Sequence, residues 1–532
     1  MNYPALEKLY TFWFSNSNNW FNQSDVFDNL VTQLFSELLN SASLDIEITT
    51  PSIFTSIIIL YDQIPRHIYR GNEEKINHYL NIIIPFVKKN YYFFNNNLTS
   101  EEFSFVLLPL RHTNNFTMIK FVIDETWQKI FTSVDEKSLL SYKRFLNATY
   151  NRYINKNSDD SNLILHDYLV SKSEFNYDRL FGRQYLDLLC IRNTKVVDID
   201  IDSSNILYLQ IKQFVDDNKI THGIISLSGG VDSMVLSYIL NKLKIDLIAV
   251  HINYNNRPNE CLHEEKIIIN WCKYILKIPL FVRTIEEINR SDSMKYEMRD
   301  LYESYTKNIR FNAYKNAHQR YFKGENIAVF MGHNRDDCFE NILTNIASQT
   351  HIDNLTGMLP TTNLSNINFI RPMLECDKKT IYEFAKLYQI PFFVDSTPKW
   401  SQRGMIRDNI RPALEKWNDK MIDSMFELST TLTLYQQFVK SIVKKDLLQK
   451  TLIYPVSAIQ LNPIYWKEVF NQSNIYLSNK SLENYINKLE YIKKNHHQIN
   501  HLYKHILNKQ TLIHWLINKE NNLLIDIVRT NI

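Results

Sequence analysis

Glycine is scarce in this sequence, with nine among 532 residues against a usual share of roughly 7%. Asn, Ile, Lys and Tyr fill the chain instead, the look of an AT-biased coding sequence. A glycine that persists in such a chain points to backbone that a side chain would forbid. Cysteine is scarce too. Cys190, Cys261, Cys272, Cys338 and Cys376 form no CxxC pair and show no metal-ligand spacing, which argues against a cysteine-held cluster. An odd number of thiols without a signal peptide reads as reduced, intracellular sulfur. The start, MNYPALEKLYTFWF, lacks a basic leader and a small-residue cleavage site. No apolar run approaches the ~20 residues that span a bilayer. The expectation is a cytoplasmic protein with no membrane partner. Charge of one sign is not in large excess either: the net is +3, so any nucleic-acid footprint must be a local patch.

A chain of 532 residues exceeds what one hydrophobic core serves, and its patterning changes along its length. Residues 1–155 carry apolar residues at helical spacing, as in DNLVTQLFSELL and FTSIIILYDQI, and predict an all-α domain. Residues 156–205 open with the polar NKNSDDSN and read as a linker and mixed region. Over 206–420 short apolar runs (GIISLS, LIAVHI, PLFVRTI, NIAVFMGH, FIRPML, PFFVD) alternate with helical patterns. That rhythm predicts βαβ units and a parallel sheet covered on both faces. Residues 421–532 contain no glycine and more basic than acidic residues, and they predict a helical, basic C-terminal region.

The segment THGIISLSGGVDSMVLSYIL places Gly229 and Gly230 between a buried strand and a helix. A helix N-terminus leaves backbone N–H groups unpaired and favours an anion. Two glycines let a phosphate approach the backbone closely, and Ser228 and Ser233 add hydroxyl donors. No Lys follows the glycines, so this is not a Walker A loop. Asp232 is out of place beside a phosphate unless it meets a metal or a non-phosphate group. The bland alternative is a tight turn with an Asp near the helix start. Ser228, His251, His333 and Asp395 each fall at the carboxyl end of an expected strand, the edge where open parallel sheets bind ligands. Asp336 and Asp337 begin a helix, with Glu340 one turn on, and paired carboxylates near phosphates suit Mg²⁺; capping of that helix is the alternative. His333 or Arg310 can stabilise charge on a leaving group, and a buried structural role is the other reading of His251. Arg403, Arg407 and Arg411 recur every four residues and form one helical stripe, suited to RNA phosphates or to a solvated face. In the tail, His497, His501 and His505 share a helical spacing without an acidic partner, and Tyr503 and Trp515 are either base-stacking or core aromatics.

These motifs resemble a known family. SGGVDS (Ser228, Gly229, Gly230, Val231, Asp232, Ser233) matches the signature of the PP-loop ATP pyrophosphatases, and the following elements resemble the tRNA(Ile)-lysidine synthetases. LIAVHINYNNR carries His251 and Arg257, ESYTKNIRFNAYKNA carries Arg310 and Phe311, and VFMGHNRDDCFENIL carries His333, Asp336, Asp337 and Glu340. FIRPML carries Arg371 and Pro372, and the late stretch carries Asp395, Ser396, Arg407 and Arg411. Tyr254 and Asn341 depart from the family pattern. The resemblance covers about 206–417. It implies an α/β PP-loop domain, Rossmann-like with a parallel sheet, of the adenine nucleotide alpha-hydrolase-like kind, flanked by the all-α N-terminal domain and the helical C-terminal region. It also implies ATP and Mg²⁺ as cofactors, tRNA and an amine such as lysine as partners, and a two-step reaction. A tRNA cytidine C2 oxygen attacks the α-phosphate of ATP, and an amine then displaces AMP. Catalysis falls to Asp232, His333, Asp336, Asp337 and Arg310, nucleotide binding to residues 228–233 and His251, Mg²⁺ to Asp336 and Asp337, and RNA binding to Arg403, Arg407 and Arg411. A sister chemistry, base thiolation, needs sulfur, and Cys338 reads as packing. A nucleotide- or RNA-binding scaffold is the non-enzymatic alternative.

A second resemblance, over about 1–150, is to a helical, tetratricopeptide-related bacterial family with no assigned activity. Phe27–Asp28, LYDQIPRHIYRGN and LLPLRH carry it, with Asp62, Gln63, Arg66, Arg70 and His112 as its polar signature. That cluster reads as a small-ligand or anion site or as a buried network holding helices together, and the domain as a whole as a possible protein-interaction module. Gly71, after Arg70, fits a helix C-cap.

Overall fold

The computed structural model describes residues 3–20, 24–156, 162–169, 180–181, 201–322, 324, 326–348, 357–393, 402–443, 451–455, 457, 461, 463–473, 475, 477–494, 502–508, 511–520 and 522–529. The N-terminal part is all helix: α1 (Tyr3–Ser15), α2 (Asp25–Asn40), α3 (Pro51–Ile68), α4 (Glu73–Phe94), α5 (Ser100–His112), α6 (Phe116–Thr132) and α7 (Glu136–Lys156). Each start that bears a side-chain cap follows from composition: Ser24, Thr50, Asn72, Thr99 and Asn115 accept a backbone N–H of the first turn, worth about 1 kcal/mol each. Helix α3 is buried on nearly every side from Ile53 to Pro65, because an all-round apolar helix belongs at the centre of its bundle. Gly71 has φ +83° just past α3, where a left-handed residue is needed.

The middle part alternates strand and helix: β1 (Leu163–His166), β2 (Leu180–Phe181), α8 (Ile206–Asp217), β3 (His222–Ser226), α9 (Val231–Lys242), β4 (Asp246–Asn253), α10 (Pro258–Asn270), β5 (Leu280–Thr284), α11 (Arg290–Lys295), α12 (Arg299–Tyr321), β6 (Ile327–Phe330), α13 (Arg335–Ala347), β7 (Thr361–Leu364), β8 (Ile367–Ile370), α14 (Lys378–Leu387) and β9 (Phe392–Phe393). The main sheet has the order β1-β5-β4-β3-β6-β8-β7. Strands β5, β4, β3, β6 and β8 run parallel; β1 and β7 are antiparallel edges. The strands rich in Ile, Val and Phe are the parallel, two-sided buried ones, as expected. PFFVD does not join this sheet: Phe392 and Phe393 pair with Leu180 and Phe181 in a separate antiparallel ladder. From β3 the chain proceeds to β4 and β5 on one side, then crosses to β6 and β8 on the other. The reversal lies between β3 and β6, and ligands bind open α/β sheets at such a point.

The two parts share a core. Ile285, Ile288, Met298, Tyr302, Tyr305 and Ile309, on and before α12, belong to the same apolar cluster as the N-terminal helices. At its centre the Tyr150 hydroxyl donates to the Glu287 carbonyl at 2.5 Å and accepts from Trp127 Nε1 at 2.8 Å. The Glu287 carboxylate pairs with Arg283, both side chains being buried. The expectation of a separate all-α unit therefore needs this addition: its helices and α12 are packed as one body of side chains.

The last part continues with α15 (Gln402–Met405), a wide helical turn (Ile406–Ile410), α16 (Arg411–Trp417), α17 (Met421–Ile442), β10 (Thr451–Pro455), α18 (Pro463–Gln472), α19 (Asn479–Lys494), β11 (Tyr503–Asn508), β12 (Thr511–Ile517) and β13 (Asn522–Arg529). The expected helices are present up to Lys494. Strands are added to the helical reading: β10, between α17 and α18, and β11–β13 after Lys494 form an antiparallel sheet in the order β10-β13-β12-β11, and it supplies Ile513, Trp515, Leu523 and Ile525 to a core with Trp466 and Tyr485. Among the described residues no helix is long and apolar enough to cross a membrane.

Candidate active site

The turn after β3 is built by its own side chains. Leu227 N–H donates to the Val250 carbonyl at 2.9 Å, extending the strand. Gly229 then takes φ +83°, a left-handed conformation that disfavours any side chain, and Gly230 is extended at the helix start. Ser233 Oγ donates to the Gly230 carbonyl at 3.0 Å and accepts from Ser228 N–H at 3.1 Å. Phe393 N–H donates to the Gly229 carbonyl at 3.1 Å, tying the turn to β9. The Val231 side chain is buried, so its contribution to a ligand is its N–H. The first turn of α9 thus presents unpaired N–H groups and a positive helix end to the sheet edge.

Gly332 holds the second wall against this turn. A Cβ there would lie 2.9 Å from Ser233 N and 3.0 Å from Asp232 C, backbone atoms that cannot give way. Sequence reasoning passed over Gly332, although a glycine in FMGHNRDD was a signal in so glycine-poor a chain.

Asp232 projects from α9 into a set of partners that the sequence did not announce. Its Oδ2 accepts from Lys378 Nζ at 2.5 Å and its Oδ1 from Asn334 Nδ2 at 2.9 Å. Burial raises the Asp232 pKa and the neighbouring Asp337 charge adds to it, with Lys378 and Asn334 opposing. Asn334 also caps α13 in a reciprocal box: its Oδ1 accepts from Asp336 and Asp337 N–H, while Asp337 Oδ2 accepts from Asn334 N–H at 3.1 Å.

Asp336 and Asp337 do not converge. Consecutive helical residues point about 100° apart, and Asp337 lines the cavity above the glycine turn while Asp336 lines an adjoining hollow with Arg411 and Asp423. Among the described residues no group of three or more His, Cys, Asp or Glu side chains is placed to hold a metal ion. Asp232 lines the same cavity as Asp337, and their charges oppose each other.

The arginine stripe exists, and it faces inward. Arg403 pairs with Asp337 and, at 2.6 Å, with Glu340; Arg407 pairs with Glu340 and, at 3.4 Å, with Asp337. Arg411 reaches Asp336 at 2.8 Å and Glu415 at 2.8 Å. Glu340 and Asp337 are nearly buried, so the stripe neutralises the acidic start of α13. Arg403 keeps half of its side chain exposed at the cavity mouth.

His333 and Arg310 close the cavity. Arg371 Nε donates to His333 Nδ1 at 3.1 Å, so the neutral ring carries its proton on Nε2. Arg371 is itself fixed by the Leu359 carbonyl and Thr362 Oγ1. Burial, with the charges of Arg371, Arg403 and Arg310, pushes the His333 pKa down to about 4 against the pull of Asp337. Arg310, on α12, lines the cavity beside Tyr254, its Nε is buried without a hydrogen-bond partner, and among the described residues it has no carboxylate partner. The cavity they share with Ser228, Gly230, Val231, Asp232 and Ser233 measures about 420 Å³.

His251 lies behind the turn. Its Nδ1 donates to the Leu227 carbonyl at 2.8 Å, it is buried on β4, and its Nε2 has no partner among the described residues. It braces the strand end that carries Ser228 and is not among the residues lining the cavity. Arg257 pairs with Glu260 and Glu264 on α10. Cys338 packs in a small apolar cluster with Ile342 and Phe339. Tyr503 and Trp515 are core residues of the C-terminal sheet, and His505 is on strand β11, which removes the helical histidine row. Asp395, Ser396, His497 and His501 lie outside the described residues.

A pH dependence follows. The folded pKa of His333 is below its ordinary 6.5, so the unfolded chain takes up the proton first. Its contribution to stability is full above pH 6.5 and is lost as the pH falls towards 4. His251 and His112 act in the same sense, each lowered by burial. The urea midpoint of the full chain should fall across this window, and His333→Gln should flatten the fall; an unchanged profile in that variant would contradict the assignment.

A family model described as a PP-loop domain matches residues 204–414, and one described as a bacterial protein of unknown function (DUF924) matches residues 9–158. Curated relatives include the tRNA(Ile)-lysidine synthases of Chlamydia muridarum, 30% identical over 36% of this chain and 57% of that one, and of Mesoplasma florum, 30% identical over 35% of this chain and 45% of that one. That of Mesomycoplasma hyopneumoniae is 27% identical over 57% of this chain and 92% of that one. The chain thus spans about half the length of the first two. Among solved structures, the U34-tRNA thiolase NcsA from Methanococcus maripaludis aligns with TM-score 0.34 at 19% identity, over 42% of this chain and 78% of that one. The chain thus joins a region that matches the DUF924 model to a region that matches the PP-loop domain model and is similar in sequence to the tRNA(Ile)-lysidine synthases.

Proposed function

We propose that the chain is an ATP-dependent ligase that adenylates a tRNA base, a cytidine at C2, and then joins an amine, lysine, to that carbon. The observation that carries this reading is the convergence of a left-handed glycine turn at a helix start, an Arg without a carboxylate partner among the described residues and a neutral His Nε2–H on one cavity. Phosphate oxygens are the ligand such a donor set suits. The triphosphate lies on residues 228–233. The C2 oxygen attacks the α-phosphorus, the bond to the β-phosphate oxygen breaks, and pyrophosphate leaves with the electron pair. The amine then adds at C2, AMP departs with the oxygen, and the new nitrogen loses a proton. Arg310 and the His333 Nε2–H stabilise charge on the phosphates, Arg371 keeps His333 in the donating tautomer, and Lys378 counters Asp232 until a phosphate draws its ammonium group away.

Asp232 and Asp337 fit Mg²⁺ better than the adjacent pair Asp336 and Asp337, because both line the cavity at the glycine turn, where burial and, after it, the Asp337 charge raise the Asp232 pKa. They would hold the ion, which supplies neutralisation of phosphate charge when bound. Arg403, half exposed at the mouth, meets an RNA phosphate. Amine chemistry is favoured over thiolation because the cysteines among the described residues, Cys261, Cys272, Cys338 and Cys376, are all buried.

The test is mass spectrometry of tRNA after incubation with ATP and lysine. The expected product is a cytidine heavier by one lysine less one water. Unchanged tRNA and no pyrophosphate release with any acceptor would leave a nucleotide- or RNA-binding scaffold as the function.

A further inference from the structure

The polar signature of the N-terminal helices divides into two networks of different balance. In the first, Asp28 accepts from Arg70 Nε at 2.5 Å and Nη2 at 2.8 Å and meets His67 Nδ1 at 2.7 Å. One carboxylate meets one guanidinium there, and the charges cancel.

The second network does not cancel. Asp62 on α3 is buried and its oxygens are taken by His112 Nδ1 at 3.1 Å, Gln63 Nε2 at 2.5 Å and Arg66 Nη2 at 2.9 Å. Arg152, on α7, donates through Nε and Nη2 to the carbonyls of Arg111 and His112 at 2.5 and 2.6 Å, neutral groups at the end of α5. Arg111 lies over the Phe145 ring, 4.9 Å from its centre. Its Nε is buried without a partner, as is Arg66 Nε, and among the described residues the Arg111 guanidinium makes no ion pair or hydrogen bond. Burial lowers the His112 pKa, so this ring is neutral at pH 7. Among the described residues Asp62 is the one carboxylate in an ion pair with these three guanidinium groups, and Glu73 adds attraction to Arg152 from the start of α4, so positive charge is in excess in a half-buried setting. Burying unbalanced charge is unfavourable, and burial together with Arg152 and Arg66 pushes the Arg111 pKa down to about 10. A guanidinium stacked on a ring, with its edge unpaired, is arranged to meet a planar or tetrahedral oxyanion.

We propose that Arg66, Arg111 and Arg152 form a binding site for a small phosphate-bearing anion on the N-terminal helical region, separate from the phosphate turn of the PP-loop domain. The excess of positive charge matches a phosphate monoester, and Asp62 serves to hold Arg66 and His112 in place.

Equilibrium dialysis of the full chain against labelled inorganic phosphate, with phosphoserine and acetate as competitors, tests the site. The phosphate turn contributes a second site, so Arg310→Gln is run in parallel. The wild type and Arg310→Gln should both retain a site that Arg111→Gln weakens by at least about 10-fold, the loss of a charge-assisted fork. Phosphoserine should compete with phosphate there, or free phosphate alone should bind, which identifies the source; acetate competing as well as either would overturn the phosphate class. Thermal unfolding in phosphate-free buffer separates a ligand site from a structural bridge. Arg111→Gln should be no less stable than the wild type yet lose the stabilisation that phosphate gives. Phosphate binding unaltered by Arg111→Gln, or a phosphate-free loss of stability that Arg111→Lys restores, would overturn the proposal.

Discussion

Replacing Asp232 by Ala should reduce ATP-dependent pyrophosphate release by about 10²–10³-fold, the range for removing one preorganised electrostatic group from a reacting centre. The carboxylate is the hub of the site: it anchors Lys378 at 2.5 Å and Asn334 at 2.9 Å, and through Asn334 it registers α9 against α13. Its removal leaves the Lys378 ammonium without its counter-charge beside the phosphate turn, which favours anion binding. ATP binding should therefore persist while turnover is lost, and steady-state kinetics with a fluorescent ATP analogue reads both. Turnover within threefold of wild type would remove Asp232 from the chemistry.

Glu287→Ala should destabilise the chain by about 3–5 kcal/mol, the magnitude for stripping one partner from a buried ion pair. Arg283 is fully buried and Glu287 nearly so. The Glu287 carboxylate also accepts from Tyr305 OH at 3.0 Å and from Glu286 N–H at 2.8 Å. Alanine leaves a buried guanidinium without its carboxylate counter-charge at the seam between the N-terminal helices and α12, which carries Arg310. Urea denaturation should show the loss, and Glu287→Gln, which keeps hydrogen-bond acceptance, should lose less. An Ala variant as stable as the wild type would show that this seam does not couple the two parts.

Much of this architecture was legible because the buried parallel strands are runs of Ile, Val and Phe punctuated by rare glycines. SGGVDS could be placed between β3 and α9 for that reason. The edge strands were not legible. Thr361–Leu364 is almost wholly exposed and Leu163–His166 buries only Leu163 fully, so neither shows an apolar alternation. In the tail the alternation of Ile513, Trp515 and Ile517 was present, but its turn at Asn518–Glu520 has no Gly or Pro to mark it. The histidine spacing suggested helix in its place. Within the site, the residues carried by strand ends and helix starts were found. Two of their supports, Lys378 and Asn334, were not, because a residue that acts by holding another has no local pattern; Arg371 was singled out only by the family resemblance. His251 shows a related limit: a strand-end histidine reads the same in the sequence whether or not it also holds the Leu227 carbonyl, as its Nδ1 does here.

The most direct measurement follows the fate of the α-phosphorus. With [α-³²P]ATP, unmodified tRNA and lysine, the account predicts labelled AMP and unlabelled pyrophosphate, formed only when tRNA is present. Labelled ADP, or AMP formed at the same rate without tRNA, would contradict it.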